Sequence, residues 1–150
     1  MKRSVALLCV LVLLAGSFAV AGDKKAEHKQ AMKESFMRGK ELFMDASLGT
    51  NGKSCNSCHA SGGTEMGKMG DTEIPPFMHL GKKYPGHFGM AEKVMTLDQV
   101  VNFCIKNAME GEVLAWDDQR MADLATYIVW VDAEKKEKPK EGMEHKEHMK

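Results

Sequence analysis

Five residues, Cys55-Asn56-Ser57-Cys58-His59, restrict this chain more than any other part of it. The order C-x-x-C-H sets two thiols one turn apart and an imidazole directly after the second. Thiols at that spacing reach the two vinyl groups on one edge of a porphyrin, and the histidine then falls beneath the iron. The motif predicts one covalently attached haem c, with thioethers at Cys55 and Cys58 and His59 as the proximal iron ligand. Covalent attachment lets a short chain keep a large flat cofactor without enclosing it fully. A structural zinc site would want two such pairs. A thioredoxin-like redox pair would want a strand before the motif and a βαβ pattern. The sequence has neither.

The amino-terminal segment indicates where such chemistry operates. Lys2 and Arg3 precede an apolar run from Val5 to Val20, and Ala19-Val20-Ala21 offers a small-residue cleavage site before Gly22. Residues 1–21 read as a secretory signal peptide, with Cys9 lost inside it. The run falls short of a comfortable bilayer span of roughly 20 residues. Cleavage removes 21 of 150 residues, leaving 129, and takes two bases but no acid, so the balance of 21 to 21 becomes 19 to 21. The expectation is an exported protein, periplasmic in a bacterium, with no membrane span after cleavage and no nucleic-acid partner. Three cysteines remain, and two thioethers plus Cys104 explain an odd count better than a disulfide framework does.

Along the chain, residues 22–34 form a charged lead-in, 35–133 the folded domain and 134–150 a charged tail expected to be disordered. A helix is predicted over 23–46, with a rough apolar stripe of Ala26, Ala31, Met32, Phe36, Leu42 and Phe43. Residues 61–89 are rich in Gly, Met and Pro without a sustained period, and are expected to be a loop wrapped over the cofactor. Thr96 and Gln99 form a capping box that starts a helix reaching Ile105. Asp117 is the expected N-cap of a last helix over 118–131, with Met121, Leu124, Ala125 and Ile128 on one face. The tail's Met143, His145, His148 and Met149 are read as solvated rather than as a metal patch.

The chain from about 35 to 131 resembles a class I c-type cytochrome. Gly39 and Phe43 match the family's first helix, and Leu124 and Tyr127 match its last. The resemblance implies an all-α cytochrome c fold, with crossed N- and C-terminal helices around one covalently attached haem. A glycine at the crossing allows close approach and the aromatic rings fill its flanks. The family also orients its proximal histidine through a proline carbonyl, for which Pro75 and Pro76 are the candidates.

The resemblance leaves two candidates for the distal iron ligand. Met109, eight residues before Asp117, has the family's usual spacing and ranks first, although Glu110 rather than proline follows it. Cys104 is the alternative. The run from Cys104 through Met109, Gly111 and Leu114, with the segment from Leu114 to Met121, is similar to the monohaem subunit of the Sox thiosulfate-oxidising system and to thiosulfate dehydrogenases. Thiolate would lower the reduction potential, and methionine would raise it. Met66, Met69, Met78, His79, His87, Met90, Met95 and Met121 are weaker candidates, because several of 13 methionines must be filler.

These features imply an electron carrier rather than an enzyme, exchanging electrons with donor and acceptor proteins. Two other readings stand beside it. One is a haem subunit of a sulfur-compound-oxidising complex with a partner subunit. The other is a haem sensor with an exchangeable sixth ligand.

Overall fold

The computed structural model describes residues 20–137, with side chains over 24–131. The expected signal peptide, apart from its last two residues, and the His/Met tail lie outside the described residues. No helix among the described residues is long and apolar enough to cross a membrane.

Two compact units divide the chain, at Glu34 and Ser35. Helix α1 runs Val20–Met44 and begins in the first unit. There Ala26 and Ala31 are exposed, so the expected apolar stripe starts no earlier than half-buried Met32. Gln30 Nε2 donates to Glu34 Oε1 at 2.8 Å, a helical pair one turn apart.

The second unit holds everything else. After α1 come two short 3₁₀ turns, Ala46–Leu48 and Cys55–Ser57, and a one-turn segment α2, Ala60–Gly63. Two hairpins flank α3 (Leu80–Lys83). The first pairs β1 (Gly67–Met69) with β2 (Thr72–Ile74), and Gly67 faces Ile74. The second pairs β3 (Gly86–Phe88) with β4 (Lys93–Met95), and Gly86 faces Met95. Helices α4 (Leu97–Ala108) and α5 (Gln119–Glu137) complete the fold.

The hairpins correct the expectation of a structureless loop over 61–89. Their strands have three residues each, too few to show a period of two in the sequence. A two-residue turn, Gly70-Asp71, makes the first hairpin, and Gly70 has φ 60°. The second hairpin docks on α4, with Phe88 edge-on to Phe103 at 5.3 Å between ring centroids. The protein remains mainly helical with a cytochrome c arrangement.

Helix boundaries follow capping chemistry. Thr96 N donates to Gln99 Oε1 at 3.0 Å, as the capping box predicts, and α4 continues past Ile105 to Ala108. The last helix starts one residue later than expected. Asp118, not Asp117, precedes α5, and its Oδ1 accepts from Arg120 N at 2.9 Å. Glu134–Glu137, assigned in sequence to the disordered tail, instead continue α5. Lys and Glu are good helix formers and extend a helix already nucleated by packing.

The centre of the fold is the crossing of α1 and α5. A Cβ on Gly39 would lie 2.0 Å from the Asp123 carbonyl oxygen and 2.8 Å from Tyr127 Cβ, so only glycine fits. Phe43 and Leu124 beside it are fully buried. The Tyr127 ring lies 5.2 Å from Phe36 and 5.2 Å from Phe43. Met121, Leu124 and Ile128 of the face predicted for α5 are buried, and Ala125 is half-buried.

A polar lock reinforces the crossing. Asp123 is 2 % exposed. It accepts from Ser35 Oγ at 2.7 Å, Arg38 Nε at 2.8 Å and Gln119 Nε2 at 2.9 Å. Burial alone would raise the Asp123 pKa, but the hydrogen bonds from Arg38, Ser35 and Gln119, with the Arg38 charge, hold it below the ordinary 3.8.

Two predictions follow from this geometry. Gly39→Ala forces backbone apart at the crossing and should cost about 3 kcal/mol in urea unfolding. The lowered Asp123 pKa means the unfolded chain binds the proton more tightly, so this carboxylate's stabilisation is complete above its ordinary value and is lost as pH falls through the lower folded value. Asp123→Asn should therefore cost about 1–2 kcal/mol at neutral pH. That gap should close on acidification, read as converging urea midpoints; a gap constant with pH would remove the charge from this account.

Candidate haem site

The 3₁₀ turn at Cys55–Ser57 gathers the motif. Cys58 N and His59 N both donate to the Cys55 carbonyl, at 3.2 and 3.0 Å. The two residues between the cysteines also bind backbone. Ser57 Oγ accepts from Ser54 N at 3.0 Å, and Asn56 Oδ1 accepts from Gly62 N at 2.8 Å. Gly63 N donates to the His59 carbonyl at 3.1 Å. Helix α5 reaches the same loop, where Tyr127 Oη donates to the Gly62 carbonyl at 3.0 Å. The helix crossing and the cofactor motif are thus one connected structure.

His59 sits between aromatic rings, 4.8 Å from Phe77 and 6.2 Å from Phe43 between centroids. Among the described residues, its buried Nδ1 has no hydrogen-bond partner. Burial lowers its pKa and favours neutral imidazole, the form that ligates metal. The expected proline carbonyl bond is not formed, which corrects the role given to Pro75 and Pro76. Phe77 N donates instead to the Gly63 carbonyl at 2.8 Å, so the segment is anchored through Phe77 and its ring meets His59. Gly63, at φ 83°, permits this, because a Cβ there would stand 2.3 Å from the Phe77 ring.

Cys55, Cys58 and Cys104 are each half-buried. They lie within electrostatic reach of one another. Burial pushes the Cys55 thiol up to about 12, with Cys104 and Cys58 adding to the effect. Burial, then Cys58, pushes Cys104 up to about 11. Tyr84 is also raised, by burial and by Cys104. Cys104 on α4 and Tyr84 after α3 are thus near enough to interact electrostatically with each other, and Cys104 with the motif.

Met109 is placed differently. It is 2 % exposed within the hydrophobic core cluster that holds Leu48, Ile105 and Leu114. Its backbone caps α4, its N–H donating to the Cys104 carbonyl at 3.2 Å, and its carbonyl accepts from Thr50 N at 2.9 Å. The chain at Gly49 runs so close that a Cβ there would meet Met109 Cβ at 2.7 Å. Met121 and Met95 are likewise buried, and Met66, Met78, Met90, His79 and His87 are exposed.

The site suits a covalently held haem. Cys55 and Cys58 lie one turn apart to supply the two thioethers, His59 has a buried nitrogen without a partner among the described residues, and apolar rings wall the imidazole on two sides. Among the described residues, no group of three or more His, Cys, Asp or Glu side chains is placed to hold a bare metal ion. Sequence reasoning missed Asn56, Phe77, Tyr84 and the Tyr127–Gly62 bond. Only the nearness of Asn56 and Phe77 to the motif and the prolines could have signalled them.

A family model of the SoxA/TsdA cytochrome c domain matches residues 38–134. The chain is also 26 % identical over 106 residues to a thiosulfate dehydrogenase of Allochromatium vinosum, an alignment that covers 67 % of this chain and 38 % of that protein. The chain thus spans about two fifths of the length of the curated relative it matches. It carries the covalently bound c-type haem of such domains, and its role is electron transfer through that haem. From the packed crossing, the cysteine pair and the extent of the match, the chain belongs to the SoxA/TsdA cytochrome c domain family.

Proposed function

We propose that the protein is an exported electron-transfer cytochrome serving the oxidation of reduced sulfur compounds, with Cys104 rather than Met109 as the distal iron ligand. The observation that carries this reading is the grouping of Cys104 with Cys55 and Cys58. A residue that would share the haem with His59 has to lie near the thioether cysteines, and the electrostatic influence of Cys104 on Cys55, and of Cys58 on Cys104, supports Cys104 in that role. Met109, first in rank from spacing, is committed to the core and tied by its backbone to Thr50.

The roles of the residues follow. Cys55 and Cys58 hold the haem as thioethers, and His59 ligates as neutral imidazole. Phe43 and Phe77 shield the ring from water and fix its orientation. Bound haem supplies a one-electron couple between ferrous and ferric iron. Burial raises the Cys104 pKa, and a haem iron held there would favour the thiolate instead, because a nearby cation reverses the effect of burial.

Export rests on the pattern of Lys2, Arg3, the apolar run and Ala19-Val20-Ala21. The sulfur-compound role rests on the relative's name and on the Cys104 segment. A chain with one C-x-x-C-H motif that matches 38 % of a thiosulfate dehydrogenase fits electron acceptance from a partner better than catalysis alone.

Spectra and potentials of two variants test the ligand. Cys104→Ala should change the ferric spectrum and raise the midpoint potential by on the order of 100 mV, part of the roughly 0.8 V span that axial ligands command. Met109→Ala should keep the spectrum and lose about 2–4 kcal/mol of stability as a core truncation. The opposite pattern would return Met109 to the iron. Rapid carbon monoxide binding by the untreated ferrous protein would favour the sensor reading.

A further inference from the structure

The loop from Met109 to Gln119 exposes more apolar surface than its construction requires. Trp116 is 87 % exposed and Val113 56 %. The backbone around them is firmly held. Asn102 brackets Leu114, its Nδ2 donating to the Leu114 carbonyl at 2.8 Å and its Oδ1 accepting from Leu114 N at 2.8 Å. Gly111 N donates to the Ile105 carbonyl at 2.9 Å, Thr50 Oγ1 to the Glu110 carbonyl at 2.8 Å, and Asp118 N to the Ala115 carbonyl at 3.1 Å. Leu114 is buried in the core. A loop anchored at its start, middle and end presents Trp116 and Val113 outward by design of the backbone.

The charges of the same loop have one sign. Glu110, Glu112, Asp117 and Asp118 lie between Met109 and Gln119, and no base does. The nearest base that follows, Arg120, is bound to Asp118 at 2.6 Å. The whole chain balances 21 bases against 21 acids, so this acidity is local. A groove of about 290 Å³ beside Val113, lined by Leu48, Thr50, Gly111, Glu112 and Arg120, gives the surface relief.

We propose that this loop is the docking surface for a lysine-rich electron-transfer protein, with Trp116 as apolar anchor and the exposed Glu110, Glu112 and Asp117 as charged rim. Interfaces concentrate their energy in a few central residues, with Trp enriched among them, and use rim charges for steering and orientation. A held backbone keeps the entropy cost of docking low. Charge decides the occupant. A second copy in a two-fold contact would set the same acids against themselves. The chain's own segment 138–150 has four lysines against three glutamates, a weak complement. A basic partner matches Glu110, Glu112 and Asp117, which Arg120 leaves to it, and an indole remains to seat.

The test titrates the full-length haem-loaded protein with a lysine-rich, high-pI cytochrome c, read by calorimetry. The same cytochrome with its lysines acetylated is the control. The native probe should bind at low salt and weaken at least tenfold on raising salt to about 0.15 M. The acetylated probe should bind at least tenfold more weakly. Trp116→Ala should weaken binding by about tenfold or more with an unchanged haem spectrum. Asp117→Asn with Glu112→Gln should flatten the salt dependence. Equal binding of both probes, no binding at low salt, or an unaffected Trp116→Ala variant would overturn the proposal. So would a dimer that Trp116→Ala dissociates, or truncation after Glu137 that newly opens Trp116 to iodide quenching.

Discussion

Everything in the described domain depends on how closely α1 and α5 approach at Gly39. The missing side chain there brings the backbone of Asp123 against α1, and two consequences follow from that single contact. Asp123 comes within reach of Ser35 and Arg38, residues more than eighty positions away in sequence. Tyr127 is driven between Phe36 and Phe43, and its hydroxyl emerges at Gly62 beside the cofactor motif. The crossing is therefore a structural support for His59 as well as a packing solution.

The cofactor motif is held from three directions. Its own turn fixes the cysteines through the Cys55 carbonyl, α5 ties down Gly62, and the segment after the prolines contributes Phe77 through its bond to Gly63. Orientation of His59 by packed rings, in place of a proline carbonyl, leaves Nδ1 unpartnered among the described residues. An unsatisfied buried polar atom is costly, so its persistence in an otherwise well-bonded region marks it as a place where chemistry outweighs stability.

Met109 and Cys104, close in sequence, are placed differently by the fold. Both occupy the end of α4, five residues apart, and both have a soft sulfur. The last turn of α4 sends Met109 into the core against Leu48 and Gly49, whereas Cys104 stays within electrostatic reach of Cys55 and Cys58. Five residues along a helix is a rotation of about 140°. The sequence distance to the next helix does not contain that rotation.

The sequence by itself determined the cofactor and the packing partners. C-x-x-C-H is dictated by the chemistry of the porphyrin edge, and Gly39, Phe43, Leu124 and Tyr127 carry the crossing in their sizes alone. Helix α4 was legible because a capping box and a helical period are local signals. The tertiary structure decided what depends on long-range contact. It folded 67–74 and 86–95 into hairpins whose three-residue strands are too short to announce themselves. It joined Ser35 and Arg38 to Asp123, set Phe77 against His59, and grouped Cys104 with the cysteine pair. Local chemistry is written in neighbouring residues. Which face of a helix meets which loop is settled only when the whole chain has packed.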